Sequence, residues 1–399
     1  MSIPVRPFLI CCLRSRLDPG ALAEAHALAG EGGLDWEEIT RTASDERIDS
    51  LLYTAIQGRA LVPSPVEASW REAYETNAVR NMVLLHELAG VLGRLGKAAV
   101  PVILLKGAAL GEAVYGNIAV RPMFDLDLLV HREDVRAVLG VLSELGYASL
   151  HVETQAGATL DFENEVAFTK QGLVDTMVEV HWSLLNSPHY QHALPMAWFW
   201  ETAVPVDVDG VASVYRGALA LGPEALLLHL CAHLALHHRG ERLLWQQDVA
   251  EVMHVFRDQL DWEQVLARAQ AWDLVLPVQQ VVGRVARDWQ APIPDGILQR
   301  LSALQPSPAE ARVFAWLTAP RRPVAQRFWA DLASMPGWRE RLRYAWGSLF
   351  PSAAYMRQRF GISSALLLPL AYPYRWLVGI VGALLALTRR GETGRRRAP

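Results

Sequence analysis

The sequence predicts an α+β protein in which a mixed β-sheet domain lies between two helical regions. Three observations carry this expectation. Residues 1–95 repeat apolar side chains at helical spacing, with Gly and Pro punctuating the segments. Residues 96–215 instead alternate short aliphatic or period-two runs with helical stretches. Residues 216–345 return to helical spacing, with breaks near 292–294, 306–308 and 320–323. A last segment, 346–399, is apolar and basic.

Taken in order, helices are expected at 22–28, 36–42, 48–57 and 66–92. The run from Val100 to Leu105 is a buried strand leading directly into Lys106-Gly107. A helix is expected to start at Ala108 and reach Tyr115, closed by the turn pair Gly116-Asn117. After Arg121-Pro122 comes Asp125-Leu126-Asp127-Leu128-Leu129-Val130, a strand buried on at least one face. An amphipathic helix follows over 135–145, ended by Gly146. Two strands, 165–170 and 177–182, form an expected hairpin. Segments 204–208 and 211–215, around Asp209-Gly210, are read as a second hairpin. A helix over 224–238 opens the next region.

The Asp pair is the most informative local feature. Residues i and i+2 of a strand point the same way, so Asp125 and Asp127 are expected on one face. Two like charges beside an apolar strand are costly unless a cation neutralises them. Mg²⁺ prefers oxygen ligands and typically uses one or two carboxylates with substrate phosphates. The competing reading is an acidic pair facing water near a turn. On the later strand, period-two alternation puts Glu179 and His181 on one face, so the 165–182 hairpin would carry Glu179 beside the Asp pair. The competing reading there is an edge strand with a solvent-facing Glu. Strand, glycine turn and helix at Lys106-Gly107 present backbone N–H groups to an anion, and Lys106 adds charge.

Leu105-Lys106-Gly107, Tyr115, Arg121-Pro122-Met123, the Asp125/Asp127 strand and Glu179-Val180-His181-Trp182 together resemble the uncharacterised nucleotidyltransferase-like family of the DNA polymerase β superfamily. The resemblance covers about residues 96–185 in its motifs and the following helices more loosely. It implies a polymerase β-like sheet and transfer of a nucleoside monophosphate from an NTP to a hydroxyl or phosphate acceptor. It implies that Asp125, Asp127 and Glu179 hold Mg²⁺ or Mn²⁺. Lys106 and Gly107 would cradle the triphosphate, and Arg121 would offset phosphate charge or brace the Asp strand. One departure stands out: the small hydroxyl residue that follows glycine in the superfamily is Ala108 here. Ala108 favours a second reading, a non-catalytic nucleotide-binding or scaffold protein that kept the fold. A third is another phosphotransferase.

His229, His233 and His237 fall at i, i+4 and i+8 of one helix, with Asp248 on the next. Three imidazoles and a carboxylate suit Zn²⁺. However, i and i+8 lie about 12 Å apart along a helix axis, so polar contacts toward the cleft are favoured over a metal site.

Composition sets outer limits. The chain has 399 residues, 51% hydrophobic, with 14 Trp, enough for a substantial core. A net charge of −4 argues against duplex nucleic acid as a partner. The expected partners are an NTP and an acceptor, small molecule, peptide or protein, whose identity the sequence does not name. Cys11, Cys12 and Cys231 make no metal or disulfide framework and fit buried thiols in a cytoplasmic protein. The run 7–13 is too short for a secretory leader. In 361–390, two uncharged runs flank Arg375; neither reaches the roughly 20 residues of a membrane span, and Pro369 and Pro373 are expected to break the helix. Tyr372, Tyr374, Trp376 and the flanking arginines fit either peripheral membrane contact or a packed helical hairpin.

Overall fold

The computed structural model describes residues 5–155, 158–206, 214–319, 324–335, 337–364 and 366–379. Among them the chain is α+β, with seven strands in one mixed sheet: β1 (Val102–Leu104), β2 (Leu126–Leu129), β3 (Ala148–Ser149), β4 (Glu165–Lys170), β5 (Thr176–His181), β6 (Val204–Pro205) and β7 (Ala218–Ala220). Their order is β3-β4-β5-β2-β1-β7-β6. β2 pairs antiparallel with β1 and parallel with β5, and β1 pairs parallel with β7. The β4–β5 hairpin is antiparallel.

Period-two alternation divides this sheet between two cores. Val102, Leu104, Leu126, Leu128, Val178 and Val180 pack against Leu84 to Leu95 of the long helix Ser64–Lys97 and against the helix Val135–Glu144. Ile103 and Leu129 point the other way, into a larger core that joins the N-terminal helices to the helices after the sheet. Phe8, Leu51, Leu228 and Val249 all belong to it. The polar residues that alternate with the first face, Asp127, Glu179 and His181, are therefore directed toward the helices of the second. Arg16 to Glu251 (3.0 Å) and Arg242 to the Asp45 carbonyl (2.8 Å) tie the two helical regions together across this face.

Several elements differ from expectation. The N-terminal apolar run agrees with it: it is a helix, Val5–Arg14, and its cysteines are buried and free, as is Cys231. β6 pairs with β7 at 218–220, and residues 207–213 of the expected hairpin, with its turn Asp209-Gly210, lie outside the described residues. So do the expected break at 320–323 and the arginines from 389 onward. Pro369 and Pro373 do not break the chain: 368–379 is one helix. Pro369 falls in its first turn, where N–H groups have no intrahelical partner, and Pro373 removes only the next bond. No helix among the described residues is long and apolar enough to cross a membrane.

Candidate active site

β1 delivers the chain to Leu105, whose N–H donates to the Asp127 carbonyl (3.0 Å). Lys106 then turns through the left-handed region, with φ +46°, and begins the helix Lys106–Ala113. A non-glycine residue held there costs about 1–2 kcal/mol, and such strain clusters at functional sites. The left-handed residue is thus Lys106 and not Gly107. Gly107 serves close approach instead: a Cβ there would sit 2.8 Å from Arg121 Nη1 and 2.9 Å from Met123 Cγ.

The turn folds the lysine back over the sheet. Lys106 Nζ donates to Asp127 Oδ1 at 2.7 Å and lies 3.9 Å from Glu179 Oε2. Asp127 and Glu179 are paired residues of β2 and β5. One pleat further along β5, His181 Nε2 lies 2.9 Å from Asp127 Oδ1 and 3.6 Å from Glu179 Oε2. Its other nitrogen is 3.0 Å from Glu165 Oε2 on β4. Potential ligand atoms of Asp127, Glu179 and His181 all fall within 4.8 Å of one another. Asp127 Oδ2 is buried with no hydrogen-bond partner. Asp125 precedes β2 by one residue and lines the cavity beside this group. His181 was visible in the sequence as the i+2 neighbour of Glu179, and Glu165 as the first residue of the hairpin, but only strand register reveals that they close the group.

The electrostatics follow from this crowding. Burial alone would raise Asp127, but the Lys106 charge and the His181 hydrogen bond hold it far below the ordinary carboxylate range. Asp125 has no such close partner; burial, then repulsion from Asp127, push it up to about 6. Burial would lower Lys106 and His181, yet both stand above their ordinary values, Lys106 through Asp127 and His181 through its hydrogen bond to Asp127 and the nearby carboxylates of Glu165 and Glu179. Four carboxylates therefore face two cationic side chains. The unpartnered Asp127 Oδ2, the adjacent Glu179 and the unneutralised Asp125 suit an oxygen-loving divalent cation.

Arg121 lines the same cavity as Lys106 and Asp125, with its guanidinium committed to a further carboxylate. It is buried, and Nε and Nη2 donate to the two oxygens of the fully buried Asp248 at 2.9 and 2.8 Å. Tyr115 Oη donates to the same carboxylate at 2.7 Å. The arginine joins the loop before β2 to the helix Leu243–Val255. Asn81 and Asn77 of the long helix hold that loop from the other side. Asn81 Nδ2 donates to the Arg121 carbonyl (2.8 Å), its Oδ1 accepts from Met123 N–H (3.2 Å), and Asn77 Nδ2 donates to the Ala119 carbonyl (2.6 Å).

With Asp248 committed, the zinc reading of the histidine helix has no carboxylate. Ring centroids of His229 and His233 are 6.1 Å apart and those of His233 and His237 5.0 Å, a row along the helix Pro223–His238 and not a convergent set. Burial, then the Lys106 charge, lowers His229 to about 3 and holds His233 well below its ordinary value. His233 and His237 line a cavity of about 440 Å³ together with Lys106, Gly107, Arg121, Asp125 and Glu179. His238, stacked on Trp245 with centroids 3.8 Å apart, continues the wall. Arg47, from the N-terminal region, closes it with its guanidinium 3.9 Å from the Phe124 ring centroid. Three stretches of sequence thus enclose a polar cleft with carboxylates on the sheet side and imidazole, indole and guanidinium groups opposite.

A family model described as an uncharacterised nucleotidyltransferase matches residues 32–289, and the chain belongs to that family. The match takes in every residue named at this site, including the histidine helix and Asp248. No curated protein matches the chain.

Proposed function

We propose that this member of the uncharacterised nucleotidyltransferase family moves a nucleoside monophosphate from an NTP to a hydroxyl or phosphate acceptor, on a polymerase β-like sheet. The observation that carries the proposal is the convergence of Asp127, Glu179 and His181 within 4.8 Å, beside Asp125 and Lys106, in the wall of one cleft. Asp127, Glu179 and Asp125 are the residues that would hold Mg²⁺ or Mn²⁺, whose role when bound is to offset phosphate charge. Lys106 Nζ, already drawn to Asp127, is placed to share its charge with the triphosphate as it enters. His181 holds Asp127 ionised and fixed, and Glu165 orients the imidazole from behind. In the transfer, an acceptor oxygen forms a bond to the α-phosphorus, the bond to the oxygen leading to the β-phosphate breaks, and pyrophosphate leaves. Glu179, the more accessible of the two paired carboxylates, takes the proton of a hydroxyl acceptor. Arg121 is a positioning residue, holding the loop that presents Asp125.

A second reading has its own observation. Lys106 and His181 already neutralise Asp127, and Ala108 offers no hydroxyl, which favours nucleotide binding without transfer.

Two experiments separate them. Incubation with each α-labelled NTP, Mg²⁺ and a cell extract should label an acceptor, and Asp127→Asn or Glu179→Gln should lower labelling by several orders of magnitude. Lys106→Ala should act mainly on NTP affinity. Full activity in Asp127→Asn would refute the assignment; retained NTP binding with no labelled product would favour the second reading. Independently of activity, millimolar Mg²⁺ or Mn²⁺ should raise the melting temperature of the wild type, with most of the rise lost in Glu179→Gln. A wild type indifferent to both ions would rule out the metal site.

A further inference from the structure

The C-terminal helices carry an exposed apolar surface that the cleft does not use. Of the 19 exposed large hydrophobic residues among the described residues, 12 fall between 329 and 378. They are ordered. On the helix Trp338–Leu349, the exposed Trp338, Leu342, Trp346 and Leu349 recur at i, i+4, i+8 and i+11, a single stripe. On the helix 368–379, the exposed Leu370, Tyr374, Leu377 and Val378 make a second stripe, extended by Leu366 and Leu367 before it. The stripes adjoin: Trp376 Nε1 donates to the Leu349 carbonyl (2.8 Å), and the Trp376 and Phe350 rings lie 5.3 Å apart. Helices of a soluble protein direct such stripes inward; contiguous exposed apolar surface marks an interaction site.

Charge selects the occupant. Residues 329–399 contain eleven arginines against three acidic residues, in a chain whose net charge is −4. Arg339, Arg341 and Arg343 are exposed on the striped helix itself, and Arg357 and Arg359 on the helix that follows it, Ala353–Phe360. A second copy of this chain would bring two arginine-rich segments together, which is unfavourable. An anionic lipid surface offers what both features need, an apolar layer for Trp and Leu under a negatively charged headgroup layer for arginine. We propose that the helices of 338–379 dock the protein peripherally on membranes containing anionic phospholipid, with the two apolar stripes entering the headgroup–acyl boundary.

The test is flotation of the full chain with phosphatidylcholine vesicles, with and without phosphatidylglycerol. Binding is expected only with phosphatidylglycerol and should weaken as salt rises. Trp338→Ser combined with Trp346→Ser should weaken it at least about tenfold, since moving one such side chain into apolar surroundings is worth about one to two decades of affinity. Circular dichroism and the melting temperature should stay at wild-type values, because both tryptophans are exposed. Should that variant misfold, Arg357→Glu with Arg359→Glu gives the same test through loss of the preference for anionic lipid. No binding by the wild type, or equal binding by the variants, overturns the proposal. Retention after alkaline carbonate washing would overturn it in favour of a spanning segment. A dimer that the tryptophan substitutions dissociate would overturn it in favour of a protein interface.

Discussion

Removing the carboxylate of Asp248 tests how the cleft is held together. Asp248 is fully buried and accepts three hydrogen bonds, one from Tyr115 Oη at 2.7 Å and two from Arg121 at 2.9 and 2.8 Å. In Asp248→Ala the guanidinium loses its counter-charge while packed against Gly107 and Met123, and the tyrosine hydroxyl loses its acceptor. Breaking one side of such a buried pair costs about 3–5 kcal/mol, chiefly because the remaining charge is uncompensated. At an m-value of about 3 kcal/mol per M in urea, the midpoint should fall by about 1 M or more. Arg121→Met together with Asp248→Leu removes both charges and should recover most of the loss, because the desolvation penalty disappears along with the attraction. Urea unfolding followed by tryptophan fluorescence measures both variants against the wild type, and Arg121→Met and Asp248→Leu made singly close the double-mutant cycle. A loss below about 1 kcal/mol in Asp248→Ala, or a double variant no better than the single one, would refute this account of the pair. The double variant should still bind NTP, since a packed Met–Leu pair can brace the same loop in place of the ion pair.

Two further outcomes follow from the geometry. Gly107→Ala places a methyl group 2.8 Å from Arg121 Nη1 and 2.9 Å from Met123 Cγ, and Arg121 is tethered to Asp248, so stability should fall by about 1–3 kcal/mol and NTP affinity with it; wild-type values in both would refute the close-approach role. Glu310 follows the N-cap Ser307 by three residues and accepts from Leu276 N–H, but burial pushes its carboxyl from 4.5 up to about 7. Because the folded value is raised, its contribution to stability is complete below pH 4.5 and is lost as pH rises through about 7. Glu310→Gln should flatten that decline relative to the wild type in urea midpoints measured across the same range, and parallel profiles would refute it.

Much of the site was legible in local pattern. Period-two alternation marked both strands of the 165–182 hairpin and put Glu179 and His181 on one face. The aliphatic run before Lys106-Gly107 and the Leu-rich run after Asp125 marked the strands that meet them. These signals are readable because a strand's side-chain period is a property of the backbone and needs no partner. Strand partners were only partly readable. β7 at 218–220 was not marked as a strand, yet it pairs with both β1 and β6, because pairing is chosen by which edges the packed cores bring together.

What only the tertiary structure decided is the state of each charge. Lys106 leaves Asp127 ionised, while Asp125, two residues away, is pushed up to about 6. Nothing in Asp-x-Asp distinguishes the two; the difference arises because a left-handed turn at position 106 aims one ammonium at one carboxylate. Arg121 reads locally as either a phosphate contact or a brace for the Asp strand, and nothing local reveals its partner Asp248, 127 residues later. The histidine row reads as a ligand set, yet it lies along one helix without converging, and burial and nearby cations disfavour protonation of His229 and His233. Sequence determines which groups are available and which face of an element they share. Charge pairing and burial depend on distances between elements remote in the chain, and those distances exist only after the helices on both sides of the sheet have closed over it.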